Sequence, residues 1–193
     1  MIRNTTINDL ESLDTIKNKV KLDPARLDDC EYQYTIQKTG FLLGSDEIYD
    51  AKALLNKAEE FLVLEEGNKI KGFISCDHED KYLDDEYKTW FSEDAKSIYY
   101  SDPKATSIYA VAVDLECAQS GVASSLLGAL EQRLMQKGFR YLFSIVTMSP
   151  VTNCPSLLFH SRNNFKRVAM GRPRELFGLK NFASVLLMKE LAK

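Results

Sequence analysis

The segment 108–127 has the sequence IYAVAVDLECAQSGVASSLL, and it decides the fold. Its first six residues form a mostly apolar run that is typical of a buried strand. A loop of small or short polar side chains follows, and Leu126 and Leu127 then begin the apolar side of a helix. The first N–H groups of a helix have no partner within it, and the helix dipole adds about half a positive charge there. We therefore expect an anionic group, and a pyrophosphate in particular, to bind at this strand-loop-helix junction.

The helix after this loop carries an apolar stripe and ends at a stop signal. We expect it to run from about Gly121 to Lys137, with Gly138 as its stop. Its expected core-side residues are Leu126, Leu127, Leu130, Leu134 and Met135. An apolar strand follows over residues 141–146. Two strands joined by a helix of this length are usually parallel neighbours, so the sequence predicts a β-α-β unit.

The rest of the chain predicts further strands and helices around this unit. In the N-terminal half, the expected elements are a strand over 2–5, a helix that begins at a capping box of Thr6 and Asp9, a short helix at Asp23-Pro24, and a helix that begins at Ser45. A hairpin of strands 61–65 and 69–76 is expected to turn at Gly67-Asn68. After the β-α-β unit, we expect a helix over 155–163 and strands near 165–169 and 182–191. This order predicts an α/β fold with one central mixed β-sheet flanked by helices. We expect a single domain over residues 1–193.

Composition restricts the classes of function. The net charge is −3, whereas proteins that bind nucleic acid by neutralising phosphates are normally basic, so no nucleic-acid partner is expected. No apolar run approaches the roughly 20 residues that span a bilayer, which predicts no membrane partner and a cytoplasmic location. The four cysteines are far apart in sequence and are expected to be reduced, mostly buried thiols. The signature loops of P-loop and Rossmann nucleotide sites are absent, as is the nucleophile elbow.

Two motifs give the chain a resemblance to a known family. The hexapeptide of residues 118–123 is similar to the motif Q/R-x-x-G-x-G/A of the GNAT family of N-acetyltransferases, with Ala118 where Arg or Gln is usual. About 35 residues further on, the segment 153–165 resembles the family's N-x-x-(A/S)-x-x-(F/L)-(Y/H)-x-x-x-G-F motif, with Asn164 in place of Gly. The predicted order of elements is similar over nearly the whole chain.

The resemblance implies a fold and a cosubstrate. In the family the two parallel strands, here 106–113 and 141–146, splay around acetyl-CoA, which donates its acetyl group. The implied cofactor-binding positions are Val111, Val113, Ala118, Gln119, Ser120, Gly121, Val122, Ala123, Ser124 and Asn153. Backbone groups near Val111 and Val113 would pair with the pantetheine arm as a further strand does, and one N–H could polarise the thioester carbonyl. Asn153 is either a pantetheine ligand or a helix cap.

His160 is the implied catalytic residue. It lies where many family members have a tyrosine and some a histidine, and an imidazole that titrates near 6.5 can protonate a departing thiolate or orient the cofactor. The alternative is a histidine that caps or fills a helix surface. No single general base stands out among Glu65, Glu66, Asp77 and Tyr109, and a water chain is a further option.

The segment 77–105 has two interpretations. Nine of its residues are acidic, and its aromatic residues include Tyr82, Trp90, Phe91, Tyr99 and Tyr100. Such an insertion could attract a cationic amine and wall an acceptor cleft. The alternative is a solvated loop whose aromatic side chains pack locally. Metal binding by residues 77–80 is disfavoured, because consecutive side chains of an extended segment point to opposite sides.

A basic run near the C-terminus also has two interpretations. Its residues are Arg162, Lys166, Arg167, Arg172 and Arg174. They could contact the adenosine phosphates, or they could form a solvated surface, because only some of them can share one face.

The sequence therefore predicts an N-acetyltransferase that transfers an acetyl group from acetyl-CoA to the amine of a small-molecule acceptor by direct attack. The alternatives are a non-catalytic acyl-CoA-binding module and an acetyltransferase that acts on a protein amine. No metal is expected. The chain could also form a homodimer.

Overall fold

A computed structural model describes residues 1–44, 50–77 and 88–191, without the side chains of residues 88 and 89. The helices are α1 Leu10–Val20, α2 Cys30–Thr39, α3 Ala51–Lys57, α4 Glu93–Ser101, α5 Val122–Gln136 and α6 Cys154–Arg162. The strands are β1 Ile2–Asn4, β2 Glu60–Glu66, β3 Lys69–Asp77, β4 Lys88–Phe91, β5 Ala105–Val113, β6 Tyr141–Ser149, β7 Lys166–Gly171, β8 Arg174–Leu176 and β9 Leu179–Glu190. None of the described helices is long and apolar enough to cross a membrane.

The strands form one mixed sheet. Their order is β1-β2-β3-β5-β6-β9-β7-β4, and β8 pairs with β9 at one end of that strand. The strands β5 and β6 are parallel, and the other described pairs are antiparallel. The predicted fold class and the predicted β-α-β unit are therefore confirmed.

Helix α5 packs on the face of the sheet that holds the main apolar cluster. Leu126, Leu127, Leu130 and Leu134 are at most 1% exposed, as their spacing predicts. The prediction for Met135 was wrong, because this side chain is 39% exposed. Met135 follows Leu134 directly and therefore lies about 100° further round the helix, away from the sheet. Gly138 ends the helix region with a φ of 89°, a backbone angle that glycine adopts readily.

The N-terminal third contains one helix that the sequence did not indicate. Thr6 and Asp9 form the expected capping box at the start of the first helical segment. Pro24 begins a single 3₁₀ turn rather than an α-helix, and α2 follows it. Only Ile36 of α2 is buried, so this helix lacks the apolar stripe that would have revealed it. The described part of the next helix, α3, is capped by Asp50, and the proposed cap Ser45 lies outside the described residues.

The predicted hairpin of β2 and β3 is confirmed. Its turn residues Gly67 and Asn68 have φ values of 55° and 59°, which suit a tight two-residue turn. Strand β3 also contains Gly72, which lies opposite Val113 of β5. This pairing places β3 close to the end of β5, where the site described below begins.

The segment 77–105 is more regular than the sequence suggested. Strand β4 forms one edge of the sheet by pairing with β7. Helix α4 buries Ala95 and Tyr99, which are 2% and 1% exposed, against the sheet. Phe91, Tyr99 and Tyr100 pack on one another, with ring centroids 5.1 to 6.1 Å apart. Tyr82 and the acidic residues between 78 and 87 lie outside the described residues.

The cysteines only partly follow expectation. All four thiols are free, but Cys30 and Cys154 are exposed and Cys117 is half-buried. Cys76 is the buried one, and burial raises the pKa of its thiol to about 12. The expectation of mostly buried thiols was therefore wrong.

Candidate functional site

The two parallel strands separate along half of their length. Pairing between β5 and β6 runs from Ala105 opposite Tyr141 to Ile108 opposite Ser144, and it stops there. Beyond this point β5 still pairs with β3, and β6 still pairs with β9. Each strand is therefore held by its outer neighbour while the inner edges diverge. The edge of β5 over residues 110–113 faces the resulting gap.

This gap is the centre of a cavity of about 810 Å³. Its lining comes from the two diverging strands, from the start of α5, from α6, from Tyr99 of α4, and from two more distant walls. The walls are contributed by the end of α2 with the segment after it, and by the β8–β9 hairpin. The expected cofactor-binding residues that line the cavity are Val111, Val113, Ala118, Gln119, Gly121, Val122, Ala123, Ser124 and Asn153. Ser120 does not line it, because its hydroxyl turns back to donate to the carbonyl of Cys117 at 2.6 Å.

The loop before α5 presents backbone donors to one end of the cavity. Gln119 and Gly121 have φ values of 62° and 87°, and this left-handed pair turns the chain sharply into the helix. The first hydrogen bond of α5 runs from the N–H of Ser125 to the carbonyl of Gly121. The N–H groups of residues 122–124 therefore have no carbonyl partner within the helix. With the helix dipole, they form a site suited to a phosphate anion.

Close backbone packing fixes the position of this loop. A Cβ atom at Gly72 would lie 2.8 Å from the carbonyl oxygen of Ala112 and 2.9 Å from Cγ1 of Val122. Only glycine allows β3 to approach β5 and the start of α5 so closely. An ion pair holds the residue that follows β5, since Nζ of Lys19 on α1 lies 3.1 Å from Oδ2 of Asp114. Asp114 also caps the short turn before the loop by accepting from the N–H of Glu116.

Asn153 acts as a cap and as a tie between two walls of the cavity. Its Oδ1 accepts from the N–H of Ser156 at 3.3 Å, which is the geometry of a helix N-cap. Its Nδ2 donates to the carbonyl of Phe41 at 2.8 Å, and the side chain is buried. Both ends of the amide are therefore engaged by the protein. These contacts favour the cap interpretation of Asn153 over that of a pantetheine ligand.

His160 is a buried, neutral residue. The residue is 1% exposed, and its ring packs between Phe159 and Phe165 with centroid distances of 4.9 and 4.8 Å. Burial lowers the pKa of His160 to about 4, although a contact with the carbonyl of Ser156 opposes this in part. Because Nδ1 lies 2.7 Å from that carbonyl oxygen, Nδ1 carries the proton and donates it.

This state of His160 bears on its expected role. A neutral imidazole with its Nδ1 proton engaged has none to give to a thiolate at neutral pH. Within the described part of the chain, its Nε2 has no hydrogen-bond partner and is sealed from solvent. These observations favour the packing interpretation over the expectation of a proton donor.

Three of the four candidate bases lie away from the cavity. Glu65 accepts from Nε of Arg3 at 2.8 Å, and neither Glu65 nor Glu66 nor Asp77 lines the cavity. Tyr109 of β5 does line it. Of the basic run, Arg162 and Arg174 line the cavity, whereas the other three residues do not.

Several lining residues were missed by the sequence reasoning. Ser144 lies at the vertex of the two strands and is 3% exposed. The one serine within the mostly apolar run 141–146 was a signal that could have revealed it. The distant walls contribute Phe41, Leu43, Leu176, Phe177 and Phe182. No local pattern marks these residues, because tertiary contacts alone bring them together.

Comparison with known proteins identifies the family. Residues 24–165 match the family model described as acetyltransferase (GNAT) family. No curated protein sequence matches the chain.

Solved structures show the same fold over the whole length. An N-acetyltransferase from Staphylococcus aureus Mu50 is 18% identical with a TM-score of 0.63, and the match covers 100% of this chain and 98% of that one. The ribosomal-protein-S18-alanine N-acetyltransferase from Escherichia coli is 13% identical with a TM-score of 0.63, covering 100% and 94%. An aminoglycoside 6'-N-acetyltransferase complexed with coenzyme A is 10% identical with a TM-score of 0.63, covering 100% and 98%. Because the family model spans most of the sequence, the chain belongs to the GNAT family of acetyltransferases.

Proposed function

We propose that the protein transfers an acetyl group from acetyl-CoA to the amine of a small-molecule acceptor by direct attack. The observation that carries this proposal is the separation of β5 and β6 beyond Ile108 and Ser144. The gap leads directly from the anion-binding start of α5 into the sheet. An extended arm with a diphosphate at one end fits such a passage.

The residues present fit coenzyme A. The N–H groups of residues 122–124 offer donors to a diphosphate, and the small side chains of Gly121 and Ala123 leave room for it. The departure at Ala118 removes a side-chain contact and leaves these backbone donors intact. Arg162 lines the same cavity and adds a positive charge. When bound, acetyl-CoA supplies the activated acetyl group.

The chain's main catalytic contribution in this proposal is positioning. The edge of β5 near Val111 and Val113 pairs with the pantetheine arm as an added strand would. A backbone N–H at this edge donates to the thioester carbonyl and stabilises the negative charge that develops there during attack. Because the strand is fixed by β3 and by Gly72, these donors are aligned before the substrates bind.

His160 has a supporting role in this proposal. Its neutral ring fills the space between Phe159 and Phe165 and so holds α6 against the sheet. Asn153 ties the other end of α6 to Phe41. We assign His160 to positioning of the cavity wall rather than to proton transfer.

Enclosure supports a small acceptor. The segment after α2 and the β8–β9 hairpin both border the cavity, so it is walled on the side away from α5. A protein acceptor would have to insert an extended terminus or a lysine side chain between these walls. The same fold serves both substrate classes among the similar structures.

The test is thiol release from acetyl-CoA in the presence of a panel of primary amines and lysine peptides. The proposal predicts amine-dependent release of one thiol for each acetylated product detected by mass spectrometry. Calorimetric binding of coenzyme A without transfer to any acceptor would instead establish the non-catalytic module. Transfer to peptides alone would establish a protein acceptor.

A further inference from the structure

The cavity passes through the sheet and has a part on the side away from α5. Val111 and Val113 of β5 pack with the apolar cluster of α5. Tyr109 of the same strand packs with the cluster of α1 and α3 on the other face. All three residues line the cavity. If acetyl-CoA enters from the α5 side, as the proposed function requires, the part beyond Tyr109 is left for the acceptor.

The walls of this acceptor part are apolar and largely aromatic. They come from the segment after α2, from α4, and from the β8–β9 hairpin, and they include Phe41, Tyr99, Leu176, Phe177 and Phe182. Phe41 and Phe182 are buried in a common cluster and are 7% and 6% exposed. Phe177 is 38% exposed. The walls therefore offer the exposed ring of Phe177 to a ligand body of similar size, and the small exposed parts of Phe41 and Phe182 border it.

The charged residues of the lining also favour an acceptor with a single amine. Within the described ranges they are Lys38, Arg162 and Arg174, and none of the described lining residues is Asp or Glu. A second ammonium group among the apolar walls would lose its hydration and find no carboxylate partner among the described lining residues.

We infer that the acceptor is a monoamine whose body is apolar and about the size of an aromatic ring. This inference rests on the proposed function, because it assigns a substrate class to the same site. The apolar body lies among Phe41, Phe177 and Phe182, and the amine points along Tyr109 toward the gap between β5 and β6.

Four acceptors of different size and charge test the inference. Thiol release from acetyl-CoA is measured with phenethylamine, ethylamine, spermidine and a short lysine-rich peptide. We expect kcat/KM for phenethylamine to exceed that for each of the others by about tenfold or more. A preference for spermidine or the peptide, or equal rates for ethylamine and phenethylamine, would overturn the inference and leave the acetyltransferase function standing. If none of these or any other amine stimulated release, the proposed function itself would fail.

A pair of variants locates the apolar body in the cavity. Phe177→Asn removes an exposed ring at a residue with a φ of 53°, a backbone angle that asparagine tolerates, so the fold should be retained. We expect the ratio of kcat/KM for phenethylamine to that for ethylamine to fall by about fivefold to tenfold. The matched control is Ile7→Asn, which removes an apolar side chain that is 63% exposed and does not line the cavity. An unchanged ratio in Phe177→Asn, or an equal fall in Ile7→Asn, would contradict the inference.

Discussion

Ile108 and Ser144 are the last residues at which the two parallel strands of the sheet pair. Beyond them the strands diverge, and the cavity opens between the strands and reaches the first turn of α5. The divergence is stable because β3 and β9 keep pairing with the outer edges as far as Val113 and Ser149. A gap in a sheet normally leaves backbone groups without partners. Here, the proposed function gives those groups a partner in the pantetheine arm.

The first prediction tests the backbone donors at the start of α5. Ala123→Pro removes one N–H that has no partner within the helix, and proline is tolerated in the first helical turn. We expect the dissociation constant of coenzyme A, measured by calorimetry, to rise by roughly tenfold or more, as for the loss of a hydrogen bond to a charged group. The binding of acetyl-pantetheine, which lacks the diphosphate, should change much less. Equal losses for the two ligands would show that the substitution acts through some route other than phosphate binding.

The second prediction compares two glycines. Gly72→Ala forces a Cβ to within 3 Å of the Ala112 carbonyl and of Val122, so we expect it to destabilise the fold by about 1–3 kcal/mol and to weaken coenzyme A binding. Gly128→Ala on α5 is the matched control, because an added Cβ there would have no atom of the described residues within 4 Å apart from the helix's own nearby backbone. That change should stabilise the protein by about 0.5–1 kcal/mol in urea unfolding. If Gly72→Ala left the affinity for coenzyme A unchanged, the idea that close packing at Gly72 fixes the position of the loop before α5 would be refuted.

The third prediction separates the two contacts of Asn153. Asn153→Asp keeps an oxygen that can cap α6 but loses the donor to the Phe41 carbonyl. We expect it to retain most of the helix stability while raising KM for the acceptor, because Phe41 borders the acceptor part of the cavity. Asn153→Ala loses both contacts and should cost about 1–3 kcal/mol of unfolding free energy. If the two variants raised KM for acetyl-CoA and left the acceptor KM unchanged, Asn153 would instead be a cofactor ligand.

The fourth prediction concerns the pH dependence of stability. The folded chain holds the pKa of His160 at about 4, below its ordinary value of 6.5. Between these two pH values the unfolded chain binds a proton that the folded chain does not bind, so stability should fall as the pH falls through this window. The contribution is roughly 3 kcal/mol, fully present above pH 6.5 and lost by about pH 4. His160→Gln should remove this dependence in urea unfolding measured across the window.

The same variant tests the role of His160 in turnover. If the neutral ring only holds the cavity wall, the ratio of kcat between the wild type and His160→Gln should stay constant with pH above 6.5. A proton donor would instead give a loss of about a hundredfold with a changed pH profile. That outcome would restore His160 as the general acid.

Local sequence patterns were sufficient for the centre of the fold. The leucines of α5 recur at helical spacing, and the glycine and asparagine of the β2–β3 turn have the required positive φ values. Helices α2 and α4 were not indicated because each buries too few side chains to produce a periodic stripe. Only Ile36 of α2 and the pair Ala95 and Tyr99 of α4 are buried. Tertiary contacts, which no local pattern records, hold these helices in place.

The candidate site likewise has parts that could be predicted from local sequence and parts that could not. The loop before α5 could be predicted, because adjacent residues of one strand-loop-helix segment form it. The state of His160 could not be predicted, because it depends on burial by Phe165 and on a carbonyl one helical turn away. The proposed acceptor walls join Phe41 and Phe182, which are distant in sequence and converge only in the folded protein.

A crystal structure of the protein with acetyl-CoA tests the central claim most directly. Our account predicts diphosphate oxygens within hydrogen-bonding distance of the N–H groups of residues 122–124, and a pantetheine arm lying between β5 and β6 with its thioester near Val111. A coenzyme bound elsewhere on the chain, with β5 and β6 still separated and the gap empty, would contradict it.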